Sequence, residues 1–290
     1  MLDGLARQTI GAAAFEVVVV DDASRDDTAA LLAARSAELN LRVLRNETSQ
    51  GPATARDVGW REARAELVAF TDDDCVPSPG WLEALLEAAR ATPGGVVMGR
   101  TTPDPAGRQT PFTRSLLVER AGPPFQTCNI AYPRSLLERL GGFDRRYPLP
   151  VAEDTDLGWR AVQSGAPLAF AADALVHHAV HELGPIGNLR MAMKWRAAAP
   201  LFKRHPELRK VQLHRGIFWS PTHEHLLRAL LAAALPRRLW PLSLWLAFPY
   251  LRRLAWRRSG PLLAPYILVY DLVETAAVVR GAIDESVPLI

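Results

Sequence analysis

The stretch ELVAFTDDDCVPSPGW, residues 66–81, joins a short apolar run to three consecutive aspartates and a proline-rich turn. The apolar run does not alternate with polar residues, which predicts a strand buried on both faces of a sheet. Open α/β sheets bind ligands beyond the carboxyl ends of their strands. Asp72, Asp73 and Asp74 therefore predict a ligand site at this strand end.

An equivalent junction occurs earlier in the chain. The run EVVVV, residues 16–20, ends in Asp21 and Asp22, and a helical pattern follows the next polar turn. A further strand, LRVLRN at 41–46, precedes another helical pattern. This alternation predicts an α/β fold of Rossmann-like type, with a mostly parallel sheet and flanking helices.

The two acidic clusters need a positive partner. Carboxylates this close repel one another, and their pKa values rise unless a cation lies between them. Mn²⁺ or Mg²⁺, held by one or two carboxylates and by substrate phosphates, is the natural partner. The alternative is that some of these acids only stabilise turns. Two clusters at two strand ends favour a metal–diphosphate site.

Four segments resemble family 2 glycosyltransferases, which have the GT-A fold and invert the anomeric centre of the transferred sugar. They are VVVVDDASRDDT at 17–28, FTDDDCVPSPGWL at 70–82, NIAYPRSLLERLGGFD at 129–144 and AEDTDLGWRAVQSG at 152–165. The second contains the D-x-D pattern of the family's metal motif, and the fourth contains its E-D motif. The segments occur in the family's order within residues 1–180.

The resemblance implies a nucleotide-sugar site on the first two segments. Asp22 would hydrogen-bond the nucleotide base with Asp21 beside it, and Arg56 would lie near the nucleotide. Asp72 would contact the ribose or the metal. Asp73 belongs to the same group as the spacer that we expect to tolerate substitution best. The donor would be a UDP-, GDP- or dTDP-sugar.

The resemblance also implies the metal ligands and the general base. Asp74 would bind Mn²⁺ or Mg²⁺ together with Asp72, and His177 would be a third ligand or a structural strand-end histidine. Asp154 would take the proton of the acceptor hydroxyl. Glu153 and Asp156 would orient the acceptor or the base. One base opposite the leaving diphosphate gives inversion. The resemblance implies the activity of a hexosyltransferase (EC 2.4).

One departure from the family opens a second hypothesis. The chain starts with MLDGLARQT, residues 1–9, which matches the helix after the family's first strand, so that strand is absent from this sequence. The strand at 16–20 would then lack one neighbour. We expect weak activity unless something replaces the strand, and equal turnover by an N-terminally extended version would contradict this. The alternative function is a catalytically impaired subunit that binds sugar nucleotide or acts as a scaffold. A nucleotidyltransferase is less favoured, because no Gly-rich loop with a lysine is present.

The back of the chain differs in charge. Residues 186–260 contain fifteen Arg or Lys and two acids, for a net charge of +13, whereas the whole chain has +3. The arginines are interleaved with Trp240, Trp245, Phe248, Tyr250 and Trp256, which favours an anionic membrane surface over nucleic acid as the partner.

The sequence therefore predicts three regions. They are a GT-A domain at 1–185, a basic helical extension at 186–225 and hydrophobic helices at 226–290. Prolines and charges interrupt the apolar segments, so we expect in-plane helices rather than spanning ones. The alternative is a helical hairpin packed on the catalytic domain. Two cysteines and no leader pattern favour a reducing compartment. Together with the basic, aromatic segment, this predicts a peripheral or monotopic protein at the cytoplasmic face of a membrane. The expected acceptor is a lipid-linked or cell-envelope glycan.

Overall fold

The structure, a computed structural model, describes residues 1–36, 38–147, 149–255 and 261–290. It divides into two compact units, Met1–Glu182 and Leu183–Ile290. The predicted end of the GT-A domain at residue 185 lies three residues beyond this division. The predicted boundary between residues 225 and 226 falls inside a helix, and Trp256 lies outside the described residues.

The first unit alternates strands and helices along the chain, as predicted. Its strands are β1 Val17–Asp21, β2 Leu41–Arg45, β3 Leu67–Phe70, β4 Cys75–Pro77, β5 Val96–Pro103, β6 Thr113–Arg114, β7 Ile130–Pro133, β8 Leu168–His178 and β9 His181–Glu182. Its helices are α1 Leu2–Ala6, α2 Thr28–Arg35, α3 Pro52–Glu62, α4 Trp81–Ala91, α5 Arg134–Leu140 and α6 Glu153–Gln163. The three apolar runs that carry the strand prediction are β1, β2 and β3.

The central sheet has five strands in the order β3-β7-β5-β8-β4. Only β5 and β8 pair in parallel within it, and the β3–β7, β5–β7 and β4–β8 pairs are antiparallel. The α/β class is confirmed, but the mostly parallel sheet is wrong for these five strands. An alternation of strands and helices does not give strand direction. β7 follows a long irregular connection after β5 rather than a crossover helix, so nothing in that pattern requires it to run parallel.

Strands β1 and β2 form a separate two-stranded parallel sheet. Among the described residues, β1 pairs only with β2, and β3 pairs only with β7. Each of β1 and β3 thus has one edge without a strand partner. The absence of a first strand between them stays a prediction.

Apolar side chains cover both faces of the central sheet. Met98 of β5 and Tyr132 of β7 belong to one buried cluster, whereas Val97 and Ala131 of the same strands belong to a second. Because neighbouring residues of a strand point to opposite faces, this division shows that the sheet is buried on both sides. The burial holds the strand ends in place, and those ends carry the acidic residues.

A buried amide shapes the sheet beside the site. The register between β5 and β8 shifts after Gly99. Asn129 donates to the carbonyl oxygens of Arg100 and Ala174, both at 2.8 Å, and accepts a 2.8 Å hydrogen bond from the Trp81 indole. These bonds satisfy the backbone where the register changes. Trp81, the first residue of α4, is itself buried.

The second unit is helical. Its α-helices are α7 Gly184–Lys194, α8 Ala199–Arg204, α9 Leu208–Gln212, α10 Pro221–Ala234, α11 Trp240–Ala255 and α12 Ala264–Glu285. One stretch, Pro261–Glu285, is long and apolar enough to cross a membrane by length and composition. Within it, Asp271 is buried and accepts a 3.0 Å hydrogen bond from the Tyr250 hydroxyl of α11.

Candidate active site

The acids at the end of β1 accept many hydrogen bonds from the protein itself. Asp21 accepts from the Ser24 backbone N–H at 2.8 Å and pairs with Arg45. Asp22 accepts from four donors, namely the Asn46 amide at 2.7 Å, the Ser49 hydroxyl at 2.8 Å, the Gln50 N–H at 3.0 Å and the Gly51 N–H at 2.9 Å. The Asp22 carboxylate thereby holds the loop that leads into α3.

These donors keep both carboxylates ionised. Hydrogen bonds from Ser24 lower the pKa of Asp21, and Arg45 adds to this effect. Burial alone would raise the pKa of Asp22, but the bonds from Asn46, Gln50 and Gly51 outweigh it and lower the value. The predicted contact of Asp22 with a nucleotide base stays a prediction. A base would have to share this carboxylate with the loop donors.

Arg56 on α3 connects two of the predicted motifs. Its guanidinium donates to Asp72 Oδ1 and to Glu153 Oε1, both at 2.8 Å. Asp72 follows β3 and Glu153 begins α6, so one side chain joins the D-x-D segment to the E-D segment. The guanidinium is mostly buried and flanked by acids, which gives the site a fixed positive charge.

The proposed base lies in the first turn of α6. Ala152, just before the helix, has a positive φ of 78°, and Glu153 and Asp154 follow it. Asp154 is partly exposed, and its Oδ1 accepts a 2.7 Å hydrogen bond from the Thr155 N–H. The Thr155 hydroxyl donates to the carbonyl of Pro124 at 2.9 Å, which ties the helix start to the preceding loop.

Asp154 has the protonation behaviour of a general base near neutral pH. Burial, and then the neighbouring charge of Glu153, raise the pKa of Asp154 to about 7, against the lowering effect of Arg56. Burial also raises the pKa of Glu153, and Arg56 opposes this shift. Glu153 Oε2 is buried and has no hydrogen-bond partner among the described residues. The pair therefore retains capacity to hold a proton or to accept a hydroxyl donor.

Asp156 pairs with a different arginine. Its side chain is fully buried and pairs with Arg160 Nε at 2.8 Å. Arg160 in turn donates to the carbonyl oxygens of Leu140 and Gly142 at 2.8 and 2.7 Å. Asp156 thereby fastens α6 to the end of α5, and helical spacing turns it away from Asp154. Its predicted role in orienting the acceptor or the base stays a prediction.

Asp74, His178 and His181 form a cluster with metal-binding geometry. One ligand atom from each lies within 4.8 Å of the others. His181 Nε2 is 2.8 Å and His178 Nε2 is 3.5 Å from Asp74 Oδ2. His178 Nδ1 lies 2.8 Å from the Ala179 carbonyl oxygen, so Nδ1 must carry a proton and donate it. In neutral His178, the Nε2 lone pair then faces a carboxylate oxygen, and that arrangement calls for a cation or a proton between them.

The side chains grouped around Asp74 differ from those that the resemblance implies as metal ligands. His177 Nδ1 bonds the Thr102 hydroxyl at 3.0 Å and is not part of the cluster. Successive residues of β8 face opposite sides, so the histidine on the Asp74 side is His178. Asp72 pairs with Arg56 rather than with the histidines, and Asp73 is exposed, as expected of a spacer.

Asp57 is a buried charge whose contacts the sequence did not indicate. It accepts from the Trp60 indole at 2.8 Å, the Phe143 N–H at 3.2 Å, Arg145 at 2.9 Å and Arg61 at 3.1 Å. These bonds fasten α3 to the turn after α5, and α3 carries Arg56.

The fold agrees with solved glycosyltransferase structures. The mannosyltransferase PcManGT from Pyrobaculum calidifontis, solved with GDP-Man and Mn²⁺, aligns with a TM-score of 0.63 and 24% identity over 98% of this chain and 82% of that one. Residues 1–349 of S. aureus TarS with UDP-GlcNAc align with a TM-score of 0.55 and 19% identity over 99% and 87% of the two chains. The protein therefore has a GT-A fold.

Sequence comparison gives the family. Residues 1–143 match the model of glycosyl transferase family 2, and the chain belongs to that family. The pre-mycofactocin glycosyltransferase of Mycobacterium tuberculosis is 31% identical over 223 residues, which are 70% of this chain and 46% of the relative. The validoxylamine A glucosyltransferase of Streptomyces hygroscopicus subsp. jinggangensis is 29% identical over 266 residues, 78% of this chain and 63% of the relative. The chain spans between about half and two thirds of the length of these relatives.

Proposed function

We propose that the protein transfers a sugar, with inversion, from a nucleotide-diphosphate sugar to an acceptor hydroxyl. The observation that carries this proposal is the arrangement around Arg56. Asp154, whose pKa is about 7, lies in the first turn of α6, and Arg56 joins that turn to the D-x-D segment. Solved relatives of the same fold contain UDP-GlcNAc or GDP-Man, which supports a nucleotide-sugar donor.

Each of these side chains has a role in the proposed reaction. Ionised Asp154 accepts the proton of the acceptor hydroxyl while the acceptor oxygen bonds to the anomeric carbon. The bond from that carbon to the diphosphate oxygen breaks, and the nucleoside diphosphate leaves from the opposite face. Glu153, held by Arg56, keeps negative charge beside Asp154, which maintains a base strong enough for this transfer. Asp21 and Asp22 are proposed to contact the nucleotide, with Asp72 on the ribose side.

Asp74, His178 and His181 are proposed to hold a divalent cation. One carboxylate oxygen and two imidazole nitrogens suit Mn²⁺ better than Mg²⁺, which prefers oxygen ligands alone. The bound cation would replace the proton that His181 Nε2 now donates to Asp74. When bound, it supplies positive charge that stabilises the departing diphosphate.

We further propose that the acceptor is a lipid-linked or cell-envelope glycan and that the protein acts at the cytoplasmic face of a membrane. Both cysteines are free, which agrees with a reducing compartment. The helical second unit exposes apolar and basic side chains together, which supports a membrane location.

The test is release of nucleoside diphosphate from a panel of UDP-, GDP- and dTDP-sugars. We expect release with one nucleotide class in the presence of Mn²⁺ and its loss when the metal is chelated. Thermal unfolding in the same panel identifies the donor that binds, because a ligand of the folded state raises the unfolding temperature. Release that chelation does not affect would contradict the metal site but not the transferase fold.

The unpaired edges of β1 and β3 favour a second candidate function. In that case the chain is a catalytically impaired subunit that binds sugar nucleotide or partners. Calorimetric titration with sugar nucleotides and Mn²⁺ separates the two. Binding without turnover, restored to turnover in an N-terminally extended chain, supports the second candidate. Equal turnover by both chains contradicts it.

A further inference from the structure

Helix α11 presents an apolar stripe to the solvent. Trp240, Leu244, Phe248 and Leu251 are all exposed and follow one another at spacings of four, four and three residues. That spacing places them on one side of the helix. A surface helix usually carries polar residues on its outward side, so α11 has the reverse pattern.

The neighbouring residues widen this surface. Trp245, beside the stripe, exposes 65% of its surface, and Trp240 and Phe248 expose 63% and 60%. Leu231 of α10 and Leu242 are also exposed. Contiguous apolar surface of this kind marks an interaction site. We name Trp240, Leu244, Trp245, Phe248 and Leu251 together the α11 face.

Internal polar contacts fix the direction of the α11 face. Tyr250 on the other side of the helix is buried, and its hydroxyl donates to Asp271 Oδ2 at 3.0 Å. Arg253 also pairs with Asp271, at 3.2 Å, and Asp271 is buried in α12. Turning the helix to bury the apolar stripe would remove both partners from a buried carboxylate, which is strongly unfavourable.

The charge around the α11 face indicates what covers it. Residues 225–270 contain seven arginines and no Asp or Glu. Arg237 and Arg238, just before α11, and Arg252, near its end, are exposed. The Arg228 guanidinium lies 5.0 Å from the centre of the Trp245 ring. The surface therefore combines exposed tryptophans, leucines and arginines.

We propose that the α11 face docks on the surface of an anionic lipid bilayer. Helices that lie in a membrane interface have Trp, Phe and Leu on one side and arginines around them. Tryptophan favours the headgroup level, and anionic headgroups complement the arginines. A second copy of the chain fits less well, because pairing two such faces would bring the arginines together. This proposal deepens the membrane location in the proposed function, but it rests on contacts within the second unit and needs no catalysis.

Vesicle binding of the full chain tests the proposal. The probes are vesicles of phosphatidylcholine alone and of phosphatidylcholine mixed with phosphatidylglycerol, and the readout is cosedimentation over a salt series. We expect binding to the mixed vesicles that weakens with salt. The double variant W245S/F248S should bind at least about tenfold more weakly, because it loses two apolar side chains from the interface.

Two further variants complete the design. I186S/V211S removes two apolar side chains of similar exposure, 65% and 58%, outside the α11 face and should bind like the wild type. R237Q/R238Q should lose affinity for the mixed vesicles and much of the salt dependence. Unchanged binding of W245S/F248S, with its folding verified by circular dichroism, would overturn the proposal. So would equal binding to neutral vesicles, or a dimer in light scattering that this variant abolishes. Nucleotide release is measured separately, so failure here leaves the transferase proposal standing.

Discussion

Two pairs of adjacent acids in the first unit differ in the hydrogen-bond donors and counter-charges that surround their carboxylates. Asp21 and Asp22 receive donors from Ser24, Arg45 and the loop at 46–51, and their pKa values are lowered. Glu153 is buried and Asp154 is partly buried beside it, with Arg56 as their main counter-charge, and their pKa values are raised. The residue types are almost the same. Burial and, for Asp154, the neighbouring charge of Glu153 raise the pKa values of the second pair, whereas the donors to Asp22 outweigh the effect of burial.

The comparison separates a structural carboxylate from a reactive one. A carboxylate with a full set of donors is a weak base, because protonation would break its hydrogen bonds. A carboxylate that is short of donors accepts a proton near neutral pH and has room for a substrate hydroxyl. The difference therefore supports the proposal that Asp154 transfers the proton, whereas Asp22 holds the loop at 46–51.

The largest effect is expected for Asp154→Asn. Loss of the base should lower kcat about 10²- to 10⁴-fold with little change in donor affinity. Initial rates of nucleoside diphosphate release and calorimetric donor binding measure the two quantities. The matched control is Asp73→Asn, which removes an exposed acid from the D-x-D segment and should leave kcat near the wild-type value. Retained activity of Asp154→Asn would end its assignment as the base.

The next largest effect concerns the metal. His178→Ala should weaken Mn²⁺ binding at least about 10- to 100-fold, since it removes a ligand whose orientation the Ala179 carbonyl fixes. His177→Ala is the matched control. The His177 ring bonds the Thr102 hydroxyl of β5 and lies on the opposite face of β8 from His178. Electron paramagnetic resonance of free Mn²⁺ during titration gives both affinities. Equal losses of Mn²⁺ affinity in the two variants would contradict the assignment of His178, rather than His177, as a ligand.

Part of this site could be predicted from sequence, because strand ends and motif order are local properties. The runs before Asp21 and Asp72 are strands, and Glu153 and Asp154 begin a helix. The face of a strand on which a single side chain lies could not be predicted in the same way. His177 and His178 differ by one position, and only the pairing of β8 with Cys75 in β4 shows that His178 lies beside Asp74.

The direction of a strand and the partners of a buried side chain could not be predicted from the sequence either. The antiparallel β7 depends on where a long irregular connection returns, which no local pattern encodes. The resemblance to the family implies a site role for Asp156, whereas in the structure its side chain is buried and pairs with Arg160. The sequence of an acidic run gives the number of carboxylates, whereas the structure shows which hydrogen-bond donors each carboxylate accepts from.

A smaller effect is expected in the pH dependence of kcat/KM. Asp154 must be ionised to accept a proton, so kcat/KM should fall as the pH drops below about 7. Arg56 lowers the pKa of Asp154, and Arg56→Gln should therefore move this acid limb to higher pH. Arg61→Gln, on the same helix but paired with Asp57, should leave it in place. An acid limb that Arg56→Gln moves to lower pH would contradict the electrostatic account.

The smallest effect on turnover is expected for Asp22→Asn, which tests the other side of the comparison. The amide cannot accept all the bonds from Ser49, Gln50 and Gly51, so the free energy of unfolding should fall by about 1–2 kcal/mol. The folded pKa of Asp22 is lowered, so its ionised form stabilises the fold above the unfolded pKa of about 3.9, and this stability is lost as pH falls through the folded value. In urea unfolding, the wild type should therefore be more stable than Asp22→Asn at neutral pH, and this difference should shrink in acid.

The control is Asp27→Asn, which changes an exposed acid without a side-chain cap bond and should be as stable as the wild type. A difference that persists unchanged into acid would mean that the loop depends on the shape of Asp22 rather than on its charge.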